Sequence, residues 1–125
     1  MLYTHVVIGT NDLPRAKAFY DTLFNVLGGQ ALGELMGKLL YEKDGQMFMV
    51  GRPIDGQPAT AANGFTLGFA LSSVEAVEAW HRAGVEHGGT AIEDAPGVRT
   101  IGGRKYFMAY LRDPDGNKLC ARHDM

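Results

Sequence analysis

The chain is poor in the residues that would mark several protein classes. It has a single cysteine, Cys120, in 125 residues. That excludes an internal disulfide and a cysteine-based zinc cluster. It has no basic excess: 12 Lys and Arg stand against 14 Asp and Glu, a formal net charge of −2. A nucleic-acid partner is not expected of such a balance. No apolar run approaches the roughly 18 residues that would span a bilayer, so no membrane partner is expected either. The opening MLYTHVVIGT lacks the basic-then-apolar layout of a secretory leader. The expectation is one globular domain over residues 1–125, cytoplasmic, with 46% hydrophobic and 21% charged residues. What the chain does have in excess is glycine, 17 residues. The glycines are scattered between short periodic segments and read as turns.

The pattern along the chain divides into two similar halves. Tyr3–Ile8 alternates like a strand, and Asn11, Asp12 and Pro14 then open a helix. Ala16, Phe19, Tyr20, Leu23, Val26 and Leu27 form its apolar stripe, and Gly28-Gly29 ends it. Strands are expected at Gln30–Leu35, Lys38–Glu42 and Gln46–Val50, the last two joined at Asp44-Gly45. Module 1 therefore covers about residues 3–51. Residues 52–63, RPIDGQPATAAN, have two prolines and no periodicity and read as a linker.

Module 2, about residues 64–123, restarts with a strand at Gly64–Leu71. Ser72 and Glu75 have capping-box spacing, Val74, Val77, Trp80, His81 and Ala83 recur at helical spacing, and Gly84 is the expected stop. Thr90–Glu93, Lys105–Leu111 and Lys118–Arg122 read as strands, with a Pro96-Gly97 loop and an Asp113-Pro114-Asp115-Gly116 turn between them. The halves align on their own residues. LGGQAL at 27–32 matches HGGTAI at 87–92, Phe19-Tyr20 matches Trp80-His81, and Asp44-Gly45 matches Asp115-Gly116. Their common order marks a duplicated βαβββ unit.

HVVIGTNDLPRAKAFYDTLF, with LRDPDGNKLC near the C-terminus, resembles the vicinal oxygen chelate superfamily. That group includes glyoxalase I, bleomycin-resistance proteins and extradiol dioxygenases. The resemblance covers nearly the whole chain. It implies an α+β fold, with two βαβββ modules forming a cup-shaped mixed sheet around a small-molecule cavity, and a homodimer. Metal-dependent members carry His or Glu ligands at four quasi-symmetric strand positions. The first is matched here by His5 and the last by Cys120. The internal repeat carries His5 to Thr66 and Cys120 back to Met49. One imidazole, a thioether, a hydroxyl and a thiol make a poor set for Mg²⁺, Mn²⁺, Zn²⁺ or Ni²⁺. The expectation is therefore no resident cofactor, a divalent metal having only an incomplete ligand set.

The same residues admit other roles. His5 is either a residual ligand or general base, or a cavity histidine held by hydrogen bonds. Cys120 is either a nucleophile activated by His5 or a small buried hydrophobe. His5, Met49 and Cys120 also make a soft set that would suit copper. Arg104, Lys105, Tyr106 and Tyr110 lie in or beside a cup-forming strand, Arg52 at the end of another; they either meet a ligand or cover an outer face. Trp80 reads as core, and His81, His87 and His123 as solvated. The expected site is His5, Met49, Thr66 and Cys120 converging on one floor, with Tyr110 and Arg104 nearer the rim. Two functions follow: a small-molecule-binding protein without metal chemistry, or a glyoxalase-like lyase or isomerase with an altered site.

Overall fold

The computed structural model describes residues 2–125. In chain order the elements are β1 (His5–Gly9), α1 (Leu13–Leu27), β2 (Gln30–Leu35), β3 (Lys38–Lys43), β4 (Gln46–Gly51), β5 (Leu67–Ala70), α2 (Val74–Glu86), β6 (Thr90–Ala91), β7 (Gly97–Ile101), β8 (Arg104–Arg112) and β9 (Lys118–Asp124). They form two sheets. The first is ordered β1-β4-β3-β2; the second is β5-β9-β8-β6, with β7 also paired to β8. In each, the strand before the helix runs parallel to the last strand of its repeat, and the other pairs are antiparallel.

Local chemistry sets the helix ends. Asp12 caps α1 by accepting from the Arg15 N–H at 3.0 Å, with Pro14 in the first turn. Gly28 takes a left-handed conformation (φ 78°), and Gly29 N–H reaches back to the Phe24 carbonyl. The buried stripe is Ala16, Phe19, Tyr20, Leu23, Phe24 and Leu27; Phe24 replaces the expected Val26, which is half-buried. In α2 the cap is Ser73, not Ser72. Its hydroxyl accepts from Ala76 N–H at 3.0 Å, so Glu75 falls in the first turn and acts on the helix dipole. Gly84 does not stop this helix, which runs on to Glu86. A Cβ at Gly84 would lie 2.2 Å from Leu111 Cδ1, so the glycine's role is close approach of α2 to β8.

The strand β7 was not expected. The Pro96-Gly97 reading as loop hid it, and Gly102 and Gly103, both at positive φ, form the tight turn into β8. The strand after the linker is shorter than expected, Leu67–Ala70.

Both sheets turn their helix-covered faces to a shared core. Ile8, Phe24, Tyr41, Phe48 and Val50 from the first repeat join Leu71, Val77, Trp80, Leu111 and Leu119 from the second. Phe69 bridges them, with its ring centroid 5.9 Å from those of Phe24 and Phe48 and 6.3 Å from that of Trp80. The opposite face of each sheet points away from this core, because strand side chains alternate.

A polar staple also crosses between the repeats. Asp113 is buried and accepts from Tyr20 OH at 2.5 Å, Asn117 Nδ2 at 2.9 Å and the Asp115 and Asn117 backbone N–H groups. Asp115 accepts from Thr10 Oγ1, Asn11 N–H and Arg15, the last at 2.8 Å. The DPDGN turn thereby docks onto the β1–α1 junction.

Burial and neighbouring acids push the phenols of Tyr20 and Tyr41 above 10.0. For Tyr20 burial leads, followed by the Asp113 charge; for Tyr41 burial leads, followed by the bond to Asp21. A raised folded value means the contribution is fully present below pH 10 and is lost as pH rises above it. Urea midpoints are expected to fall through pH 10–11, and a Tyr20→Phe, Tyr41→Phe double variant is expected to show a shallower fall. Equal slopes in both proteins would contradict this assignment.

Candidate functional site

The open faces of the two sheets carry the candidate residues. On the first sheet the register pairs His5 with Met47 and Val7 with Met49, so these four share a face. Their neighbours Val6, Ile8, Phe48 and Val50 point to the core. His5 is exposed and its Nδ1 lies 2.9 Å from Thr4 Oγ1. It lines a crevice of about 330 Å³ with Met47, Phe24, Phe48, Gly68 and Phe69.

On the second sheet Cys120 is flanked by Gly68 on β5 and Tyr110 on β8. Together with Thr66, Ala70, Met108 and Arg122 they line an open depression of about 710 Å³. Two cations bound this face. Lys118 lies over the Tyr110 ring (5.0 Å to centroid) and pairs with Glu93 at 2.5 Å. Arg122 lies over Tyr106 (4.6 Å) and pairs with Asp124 at 2.8 Å. Burial pushes the Cys120 thiol up, the hydrogen bond with Tyr110 opposing it, so the thiol form is favoured. Tyr110 is raised too, chiefly by burial.

The four expected floor residues therefore form two pairs. Thr66 and Cys120 share the second sheet's depression; His5 and Met49 share the first sheet's open face. The expectation that all four converge within one chain is corrected. A common helix-side core turns the two open faces away from each other. His5 and Cys120 consequently line different depressions of the chain and do not form a dyad within it.

Tyr110 belongs to the second depression, whereas Arg104 is exposed at the far end of β8 and lines neither depression. Arg52 lines a separate hollow under the linker with Lys38 and Ile54. Trp80 is fully buried. His87 is exposed, but His81 and His123 are half-buried, contrary to expectation. Burial lowers the His81 pKa. His123 reaches the Leu71 carbonyl at 3.3 Å from a position in the second depression.

The sequence reading missed Gly68, Met108 and Arg122. Period-two alternation from Cys120 would have found Arg122; Gly68 has no side chain to signal it. Arg99 was also missed. Its guanidinium donates to the carbonyls of Asp94, Ala95, Gly97 and Met108 and so holds the loop before β7.

The family model for the Glyoxalase/Bleomycin resistance protein/Dioxygenase superfamily matches residues 3–121. The chain belongs to this superfamily. A glyoxalase/bleomycin resistance protein from Albidiferax ferrireducens T118 superposes with TM-score 0.94 at 45% identity, with 98% of this chain and 99% of that one covered. A glyoxalase/bleomycin resistance protein/dioxygenase family enzyme from Burkholderia phytofirmans PsJN gives TM-score 0.76 at 21% identity, covering 98% of each chain. A lactoylglutathione lyase from Agrobacterium tumefaciens gives 0.66 at 20%, covering 97% of this chain and 92% of that one, a likeness of fold alone. No curated protein matches in sequence.

Membership of the glyoxalase superfamily raises the question of a divalent ion. The four quasi-symmetric positions hold His5, Met49, Thr66 and Cys120, with no carboxylate, and they lie on two faces. Among the described residues, no three His, Cys, Asp or Glu side chains are grouped to hold a metal. This donor set does not fit the hard or borderline ions of the superfamily's metal chemistry. Among the described residues no helix is long and apolar enough to cross a membrane.

Proposed function

We propose that this superfamily member is a cytoplasmic, small-molecule-binding protein that works without a divalent metal. The observation carrying this reading is the second sheet's open depression. Its floor of Gly68, Ala70, Met108, Tyr110 and Cys120 gives apolar surface, and Thr66, Ser72, Arg122, His123 and Asp124 in the same lining give polar groups to orient a ligand. In this reading Tyr110 and Thr66 supply orienting hydroxyls, and Cys120 packs as a small hydrophobe.

The protein acts as a homodimer. The first sheet's open face leaves Val7 47% and Leu35 61% exposed, an apolar surface that a second copy covers. Such a copy sets His5 and Met49 of one chain against Thr66 and Cys120 of the other. In that arrangement His5 orients the ligand.

The test combines metal analysis with assembly. Untagged protein is expected to contain no stoichiometric Zn, Ni, Mn or Fe, and to sediment as a dimer at micromolar concentration. Added Zn²⁺, Ni²⁺ or Mn²⁺ is expected to give no turnover of methylglyoxal with glutathione. Stoichiometric metal, or metal-dependent turnover abolished by His5→Ala, would establish the lyase reading instead.

A further inference from the structure

We propose that Gly68 is a specificity-determining position, kept bare so that a neutral, planar apolar ligand can lie across the β5 backbone. This rests on the small-molecule reading above and names the ligand class for the same site.

A glycine at residue 68 needs a physical reason. Glycine inside a strand costs about 0.5–1 kcal/mol relative to alanine, so an interior one has a reason. At Gly28, Gly102 and Gly103 the reason is a positive φ. At Gly84 and Gly89 it is crowding: an added Cβ would lie 2.2 Å from Leu111 Cδ1 or 2.7 Å from Phe19 Cε1. Neither applies to Gly68. Its φ lies outside the left-handed region, and an added Cβ would meet nothing within 4 Å. The fold leaves that space open without using it.

The space lies between two cavities. Gly68 lines both the crevice that holds His5 and the depression that holds Cys120 and Tyr110. A flat ligand over Gly68 would contact the Cys120 side, where Met108 and Tyr110 form the floor. Its far edge would reach the outer side of β5, where Phe69 and Ala70 line the crevice. A side chain at residue 68 would stand in the middle of that path.

Charge selects the ligand class. The cations in and beside the depression are already engaged, Arg122 in its lining by Asp124 and Lys118 beside Tyr110 by Glu93. Both also sit over tyrosine rings. The charged side chains in the depression's own lining, Arg122 and Asp124, thus pair with each other beside the apolar surface of Ala70 and Met108, which suits a neutral ring system better than an anion.

The experiment uses a neutral fluorescent probe, N-phenyl-1-naphthylamine, and its sulfonated relative, 1-anilinonaphthalene-8-sulfonate. Wild-type protein is expected to bind the neutral probe saturably and the sulfonate no more tightly. Gly68→Val is expected to weaken neutral-probe binding at least tenfold while its thermal midpoint stays equal or rises, because valine suits a strand. Gly68→Ala is expected to fall between, and carries the test if the valine variant does not fold. Val85→Gln, on the surface of α2, is expected to bind like wild type. Affinity within twofold of wild type in both Gly68 variants would overturn the proposal while leaving the small-molecule reading standing. So would an equal loss in Val85→Gln, or a change of sedimentation in Gly68→Val without a change in probe binding. Tenfold tighter sulfonate binding would overturn the neutral ligand class. Absence of saturable binding to wild type would overturn the small-molecule reading together with this inference.

Discussion

Asp113→Ala is expected to destabilise the protein by about 3–5 kcal/mol, read as a lower urea midpoint with unchanged slope. Asp113 accepts four hydrogen bonds, from Tyr20, Asn117 Nδ2 and two backbone N–H groups. Removing the acceptor leaves Tyr20 OH, fully buried, without its partner, and the Asn117 backbone N–H loses its acceptor, while Asn117 Nδ2 keeps only its bond to the Gly9 carbonyl. Each orphaned donor costs about 1–3 kcal/mol. Asp113→Asn is expected to cost less, because its amide oxygen still accepts from the turn. Tyr20→Phe removes one donor and leaves the carboxylate with three, so its loss is also expected to be smaller. If Asp113→Ala cost no more than Tyr20→Phe, the turn would not be holding the β1–α1 junction in place.

Phe24→Ala is expected to cost about 3–5 kcal/mol, the range for emptying an aromatic core position. Phe24 is stacked on Tyr41 with ring centroids 4.6 Å apart and lies 5.5 Å from Phe48. It also meets Phe69 edge-on, so it belongs to both repeats at once. Its ring walls the crevice beside His5, and the alanine variant enlarges that crevice. Phe24→Leu, which refills most of the volume, is expected to cost about 1–2 kcal/mol. Chemical denaturation of both variants checks this. Equal loss in the two would mean that ring geometry, and not volume, carries the contribution.

Local patterns explain how much of the architecture was legible. The stripe from Ala16 to Leu27 has a helical period, and Gly28-Gly29 can close only a helix that ends there. Asp44-Gly45 marks a hairpin turn, and the paired repeats announce the duplication. Each of these signals lies within a few residues along the chain, so neighbours in sequence suffice to read it. The failures share a cause as well. Gly84 looks like a stop until Leu111 is placed beside it. Ser72 and Ser73 are equally good caps until the backbone selects one. β7 has little apolar alternation and is a strand because β8 offers it a pairing edge.

The candidate site shows the same division more sharply. The sequence alone determined which residues occupy equivalent positions of the repeat: His5 with Thr66, and Met49 with Cys120. It also determined the donor types at those positions, one imidazole, one thioether, one hydroxyl and one thiol with no carboxylate, because donor chemistry belongs to the residue type. Alternation along a strand determined which residues share a sheet face. Only the tertiary structure decided where the faces point. The two helix-covered faces meet in one aromatic core around Phe69, since burying both against each other removes more apolar surface from water than burying either alone. That packing sends the open faces outward, separates His5 from Cys120 within the chain, and exposes Gly68 between two cavities. Sequence periodicity describes each sheet's sides but not the rotation of one sheet relative to the other, and that rotation is set by long-range side-chain packing.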